Sequence, residues 1–220
     1  TIDYSFVVVG CNRVDNADTL GQNPSTANVY HLNRTFYEVS NLNPVPAYFF
    51  FAGDLVIGYN NDTAQLARQL RGWITLYKNS PLALKSTKMV AIPGNHETQD
   101  KAAGKKSYLG AEQTWLRVMK DYIPGGNGPV ATGLVPGTDS LITDQNMLTY
   151  SINYKKDHFV LIDTDPIGRD WRVPYKWIKQ DIKAAKANGA RHVFAIGHKP
   201  AYASMFAPQD GLVSNNGTVP

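Results

Sequence analysis

A layered α/β fold, with central sheets that are largely parallel or mixed and flanked by helices, is the architecture this sequence predicts. Five apolar runs rich in β-branched and aromatic residues alternate with segments of helical periodicity. Strands that alternate with helices need crossover connections, which favour parallel pairing with helices on the sheet faces. Polar residues capable of chemistry follow directly on the strand-like runs, the edge at which open α/β sheets bind ligands.

Taken in order, the first run is Tyr4–Gly10, with Val7, Val8 and Val9 at its centre. Val29, Leu32, Phe36 and Val39 then recur at helical spacing. The second run, Ala47–Asp54, carries three consecutive phenylalanines, as expected of a strand buried on both faces. Leu66, Leu70, Trp73 and Tyr77 mark the next helix, and the Asp62 to Gln65 offset at its start resembles a capping box. Lys88–Pro93 is the third strand. The Gly-, Pro-, Lys- and Asn-rich segment from Asp100 to Gly137 reads as an excursion from the sheet, a binding loop or a mobile surface loop, with a short helix at Glu112–Tyr122. Leu148–Asp163 reads as a hairpin turning near Lys155-Lys156-Asp157. A helix entered at Pro174, burying Trp177, Ile178 and Ile182 and stopped by Asn188-Gly189, leads to a last strand at His192–Ile196. The stretch from Met205 to Pro220 shows no periodicity.

A chain of 220 residues that is 43% hydrophobic suffices for one domain with a sizeable core, taken here as 1–220. It has no apolar run of eighteen residues, so no transmembrane segment and a soluble protein are expected. Cys11 is the sole cysteine, which excludes an internal disulfide framework. The net charge of +4 comes from scattered lysines, which argues against specific nucleic-acid binding. Residue 1 is Thr, which fits a processed secreted or periplasmic form and a trimmed chain equally, and sequons at Asn33, Asn61 and Asn216 add little.

The chemistry sits in Gly10-Cys11-Asn12-Arg13, Gly53-Asp54, Gly94-Asn95-His96-Glu97 and Gly197-His198, each following a strand. Glycine before each polar group permits a sharp turn or a close backbone approach. Any one of these alone is ordinary turn chemistry. Together they bring a carboxylate, an amide oxygen and an imidazole to one edge, a donor set suited to a divalent manganese, iron or zinc ion. The absence of Gly-x-Gly-x-x-Gly after the first strand argues against a dinucleotide-binding fold.

In these motifs the sequence resembles the calcineurin-like metallophosphoesterases, and particularly their purple-acid-phosphatase-like members. Gly53-Asp54, Gly94-Asn95-His96-Glu97 and Gly197-His198-Lys199-Pro200 match the family pattern, and Phe159 to Asp165 through Trp177 is also similar. The resemblance implies that Asp54 bridges two metals, that Asn95 and His198 hold one of them, and that His96 faces the substrate phosphate as general acid or as a stabiliser of the transition state. It implies a supporting role for Glu97, orienting His96 or a ligand. The substrate would be a phosphorylated small molecule or a phosphodiester.

Two departures qualify it. The family's first motif, Asp-x-His, is replaced by Cys11-Asn12-Arg13, and its final Gly-His-x-His is not found up to residue 220. Arginine is permanently charged and cannot ligate a metal, so one ion is favoured over two. Cys11 is either a fourth ligand or a small packed side chain. Arg13 is either a surface ion-pair partner or a guanidinium that holds phosphate in place of the second ion. The expected alternative to hydrolysis is a phosphoesterase-like binding or scaffold module that has lost turnover.

Overall fold

The protein is seen in a computed structural model that describes residues 2–15 and 27–201. The stretch from Met205 to Pro220, with the Asn216 sequon, lies outside the described residues. In chain order the elements are β1 (Phe6–Val9), α1 (Ala27–Ser40), β2 (Tyr48–Ala52), α2 (Thr63–Lys78), β3 (Lys88–Ile92), α3 (Asn95–Thr98), β4 (Gln99–Asp100), β5 (Lys106–Ser107), α4 (Leu109–Met119), β6 (Tyr150–Tyr154), β7 (Asp157–Ile162), α5 (Tyr175–Ala187) and β8 (His192–Gly197). Short 3₁₀ turns occupy Pro81–Leu84 and Lys120–Tyr122.

Two three-stranded sheets pack face to face. The first is parallel throughout, in the order β1-β2-β3. In the second, β6 and β7 form an antiparallel hairpin and β8 adds to β7 in parallel. The small β4-β5 ribbon is antiparallel.

Side-chain alternation explains the layering. On β2, Tyr48 and Phe50 face the second sheet, with Phe50 5.1 Å from Phe159 between ring centroids. Phe49 and Phe51 face the helices, at 5.9 Å from Phe36 of α1 and 5.0 Å from Trp73 of α2. All four are buried, which accounts for the unbroken aromatic run. On β7, Phe159 and Leu161 join this core, whereas Val160 and Ile162 turn outward to Ile178, Trp177 and Ile182 of α5. The result is helices, sheet, sheet, helix. Each buried phenylalanine contributes about 1.5–3 kcal/mol.

Helix ends follow local chemistry with two exceptions. Asp62 caps α2 by accepting from the Gln65 amide at 2.8 Å, but Gln65 does not return the bond; its side chain accepts from Asn60 at 2.5 Å. Helix α4 starts at Leu109, before the expected Glu112, and its N-cap Tyr108 makes no side-chain capping bond. It is no surface loop, because Trp115 and Met119 are buried in the core. Among the described residues, no helix is long and apolar enough to cross a membrane.

Candidate metal centre

The turn after β2 sets the site. Gly53 and Asp54 both adopt left-handed backbone, at φ 79° and 56°, so the chain folds back under the strand end and the Asp54 carboxylate is fully buried. A Cβ on Gly53 would stand 2.6 Å from the Gly94 Cα, so the two glycines let the turns after β2 and β3 meet backbone to backbone. The loop after β1 lies against this turn: the Cys11 and Arg13 amides donate to the Gly53 and Asp54 carbonyls at 3.0 and 2.9 Å. Cys11 and Arg13 are themselves left-handed, at φ 60° and 56°. Three non-glycine residues in this conformation, at about 1–2 kcal/mol each, concentrate backbone strain at one spot.

Glu97 lies beneath. Its carboxylate accepts from the amides of Asp54 and Gly94 at 2.8 Å each and of Val56 at 3.0 Å. Its side chain thus holds the Asp54 turn through the backbone and makes no bond to the His96 ring. Burial, then the charge of Asp54, push the Glu97 carboxyl up to about 8, against the pull of the three amides.

Asp54, Asn95 and His198, expected to be neighbours, are brought together. The Nδ1 of His198 lies 3.0 Å from the Ala52 carbonyl, which can only accept, so Nδ1 carries the proton. Its Nε2 then points a lone pair at Asn95 Oδ1, 3.0 Å away, and Asp54 Oδ1, 3.2 Å away. Asp54 Oδ1 also accepts from the His96 amide at 3.2 Å, but the contacts between Nε2 and the two oxygens hold no donor of their own and call for a cation, either a proton on Nε2 or a metal ion. Cys11 stands close by, its sulfur within 4.8 Å of ligand atoms of Asp54 and His198. Burial and then the Asp54 charge push its thiol up.

His96 borders the cluster. Its Nδ1 donates to the Ile57 carbonyl at 2.5 Å and its Nε2 is 3.8 Å from Asp54 Oδ2. Burial lowers its pKa, and the Asp54 charge works in the opposite sense. The Nε of Arg13 meets the outer carboxylate oxygen, Asp54 Oδ2, at 2.9 Å, and nearly half of the Arg13 side chain reaches solvent.

Two features have no role that the sequence announces, although Lys199 and Asp165 fall within the matching motifs. Tyr59 stacks on the His96 ring with centroids 4.5 Å apart. Lys199, next to His198, is buried, paired with Asp165 and set 3.3 Å over the Trp171 ring, while Gln99 bonds Asp165 and Asp170 at 2.9 and 3.1 Å. An isolated tyrosine in a loop has no periodicity to betray it, and the motif that contains Lys199 does not say that its ammonium is buried on Asp165.

No curated protein matches the sequence. Among solved structures, a purple acid phosphatase from seeds of yellow lupin (Lupinus luteus) is similar in fold, with a TM-score of 0.56 at 18% identity over 94% of this chain. The present chain spans 32% of that protein. The model of the calcineurin-like phosphoesterases matches residues 17–216, nearly the whole sequence, and the chain belongs to that family.

Proposed function

We propose that the protein hydrolyses a phosphoester, using one divalent cation held by Asp54, Asn95 and His198. The convergence of His198 Nε2 with Asn95 Oδ1 and Asp54 Oδ1, at 3.0 and 3.2 Å, carries this reading, because acceptors this close to one another fit a cation among them. Two oxygens and one imidazole nitrogen suit manganese, iron or zinc, and Cys11 can add a sulfur. A second ion at Asp54 Oδ2 is disfavoured, since the Arg13 guanidinium meets that oxygen.

A cation held there would supply Lewis-acid polarisation of a phosphoryl oxygen and a water of lowered pKa. The chain's own groups do the rest. Arg13 presents permanent charge and paired N–H donors to the phosphate, whether that of a phosphorylated small molecule or of a diester. His96, with one proton fixed on Nδ1 by Ile57, can deliver a proton from Nε2 to the leaving oxygen only as the imidazolium. Burial keeps that form below the ordinary 6.5 of histidine, so the hydrolysis rate falls as pH rises through the lowered value.

A second reading has its own observation: the Arg13–Asp54 ion pair satisfies the carboxylate without a second metal, as in a binding module that has lost turnover. The deciding experiment compares wild type with His96→Ala on aryl phosphates of graded leaving-group basicity, with manganese. A loss of about 10²–10⁴-fold that shrinks for good leaving groups supports proton delivery by His96. A uniform loss moves His96 to phosphate binding. Wild type that holds one ion and is inactive on every ester favours the binding module.

A further inference from the structure

We propose that the pocket between the β4-β5 ribbon and the loop 166–172 holds a second, non-reacting phosphoryl group of the substrate, so that the esters this chain favours carry two phosphates. The inference rests on the metal-dependent reading above and adds to it a class of substrate.

The pocket has a volume of about 580 Å³ and lies between Lys106 and Ser107 of β5 on one side and Gly168 to Arg172 on the other. Hydrogen bonds fix both walls. Asp170 Oδ1 accepts from the Ser107 amide at 2.6 Å and from the Gln99 side chain at 3.1 Å, which ties the ribbon to the loop. The loop closes on itself, the Arg169 amide donating to the Pro166 carbonyl at 2.7 Å and the Arg172 amide to the Arg169 carbonyl at 3.0 Å. Trp171 sits at φ 66°, costly for a bulky residue. It is held there by its amide, which donates to Asp165 Oδ1 at 3.0 Å, and by the Lys199 ammonium, 3.3 Å over its ring. Asp165 also joins this wall to the metal centre. Lys199, directly after His198, pairs with it, and Gln99, directly after the helix that carries Asn95 and His96, donates to its Oδ1 at 2.9 Å. The pocket is thus anchored on the two segments that carry the cation's ligands.

Its lining selects an anion. Lys106, Arg169 and Arg172 stand against one carboxylate, and that carboxylate, Asp170, is buried and already engaged by the two walls. The Lys106 ammonium stays 3.9 Å from Asp170 Oδ2, beyond hydrogen-bond reach, and is mostly exposed. Arg169 is steadied by its Nε, which donates to the Ser140 carbonyl at 3.2 Å. Arg172 is exposed, with no side-chain partner among the described residues. Ser107 supplies the independent sign of a ligand: its hydroxyl is buried and has no hydrogen-bond partner among the described residues. A buried hydroxyl left unpaired is destabilising, and an oxyanion can accept its proton while the cations meet the charge. A phosphoryl group has three strong acceptor oxygens to divide among a hydroxyl and several cations, where a carboxylate has two. Binding energy gained here, away from the reacting bond, is available to hold the ester in place at the cation.

Linear alkanediol bisphosphates of graded chain length, each compared with the alkyl monophosphate of the same length, read the second site with manganese present. At the chain length that spans the two sites, kcat/KM for the bisphosphate should exceed that for the monophosphate by about 10–100-fold, the worth of one charge-assisted hydrogen bond. The double variant Lys106→Gln, Arg172→Gln should lose most of this ratio, and Ser107→Ala part of it. A calorimetric titration of metal-stripped protein with inorganic phosphate should show binding that the double variant weakens about tenfold. A ratio near one at every chain length, a ratio unchanged in the double variant, or equal phosphate binding by the two stripped proteins overturns the proposal while leaving the metal centre standing. Wild type inactive on every ester overturns the metal-dependent reading and the substrate role with it, and the monophosphates tell the two failures apart because they then do not react either.

Discussion

Gly94→Ala adds one methyl group and aims it at the site. The position has φ −108° and ψ −178°, ordinary extended backbone, so alanine fits it without conformational strain. The added carbon would lie 2.5 Å from both the amide nitrogen and the Oδ1 of Asp54 and 3.0 Å from the His198 ring. Ordinary contact begins at 3.4 Å, so Asp54 must retreat by about 0.9 Å or the turn after β3 must move by as much. Metal ligands tolerate about 0.2 Å, and misplacement of about 1 Å at a reacting centre costs about 100-fold. We therefore expect Gly94→Ala to lose about 100-fold in manganese affinity or kcat, with about 1–3 kcal/mol of stability from overpacking. Calorimetric titration, aryl phosphate turnover and chemical denaturation read the three quantities. Gly126→Ala, where a Cβ meets nothing within 4 Å, is the control. A Gly94→Ala protein that folds, binds manganese within threefold of wild type and turns over normally would refute the claim that this glycine exists to seat Asp54 against His198.

Other expectations follow from the same geometry. Arg13→Lys keeps the charge but loses the planar fork, so inorganic phosphate should inhibit about 10–100-fold more weakly, and unchanged inhibition would return Arg13 to a purely ion-pairing role. The buried Asp163 is raised well above the ordinary carboxylate range by burial, then by Glu112 and Asp165. Its protonated form therefore stabilises the fold fully at low pH, and that contribution is lost as pH rises through the raised value. Asp163→Asn removes this titration, so its stability relative to wild type should grow with pH, by up to about 1.4 kcal/mol per pH unit in denaturation series; parallel curves would count against it. Trp73→Ala, deep among Phe36, Phe51 and Tyr77, should cost about 3–5 kcal/mol, and a loss below about 1 kcal/mol would contradict the assigned core.

Much of this was legible in the sequence because the relevant physics is local. Three phenylalanines in a row can be buried only by layers on both sides of β2, and polar residues straight after strands must share one edge. Other features depend on backbone that propensity does not report. Nothing in Cys11-Asn12-Arg13 signals two left-handed residues, yet that conformation carries the Arg13 guanidinium to Asp54. Glu97 was readable as a supporting group, but two of its three amide partners, Asp54 and Val56, lie 43 and 41 residues away, which only the closed fold brings within reach. The start of α4 lacked a capping residue to mark it, and Tyr59 lay in a loop where a single aromatic has no pattern.

Metal content tests the central claim most directly. Protein purified without chelator, loaded with excess manganese, freed of unbound ion and measured by elemental analysis should hold one ion per chain. Asp54→Ala, treated alike, should hold none. No ion in folded wild type would contradict a cation among Asp54, Asn95 and His198, and two ions would contradict the replacement of the second by Arg13.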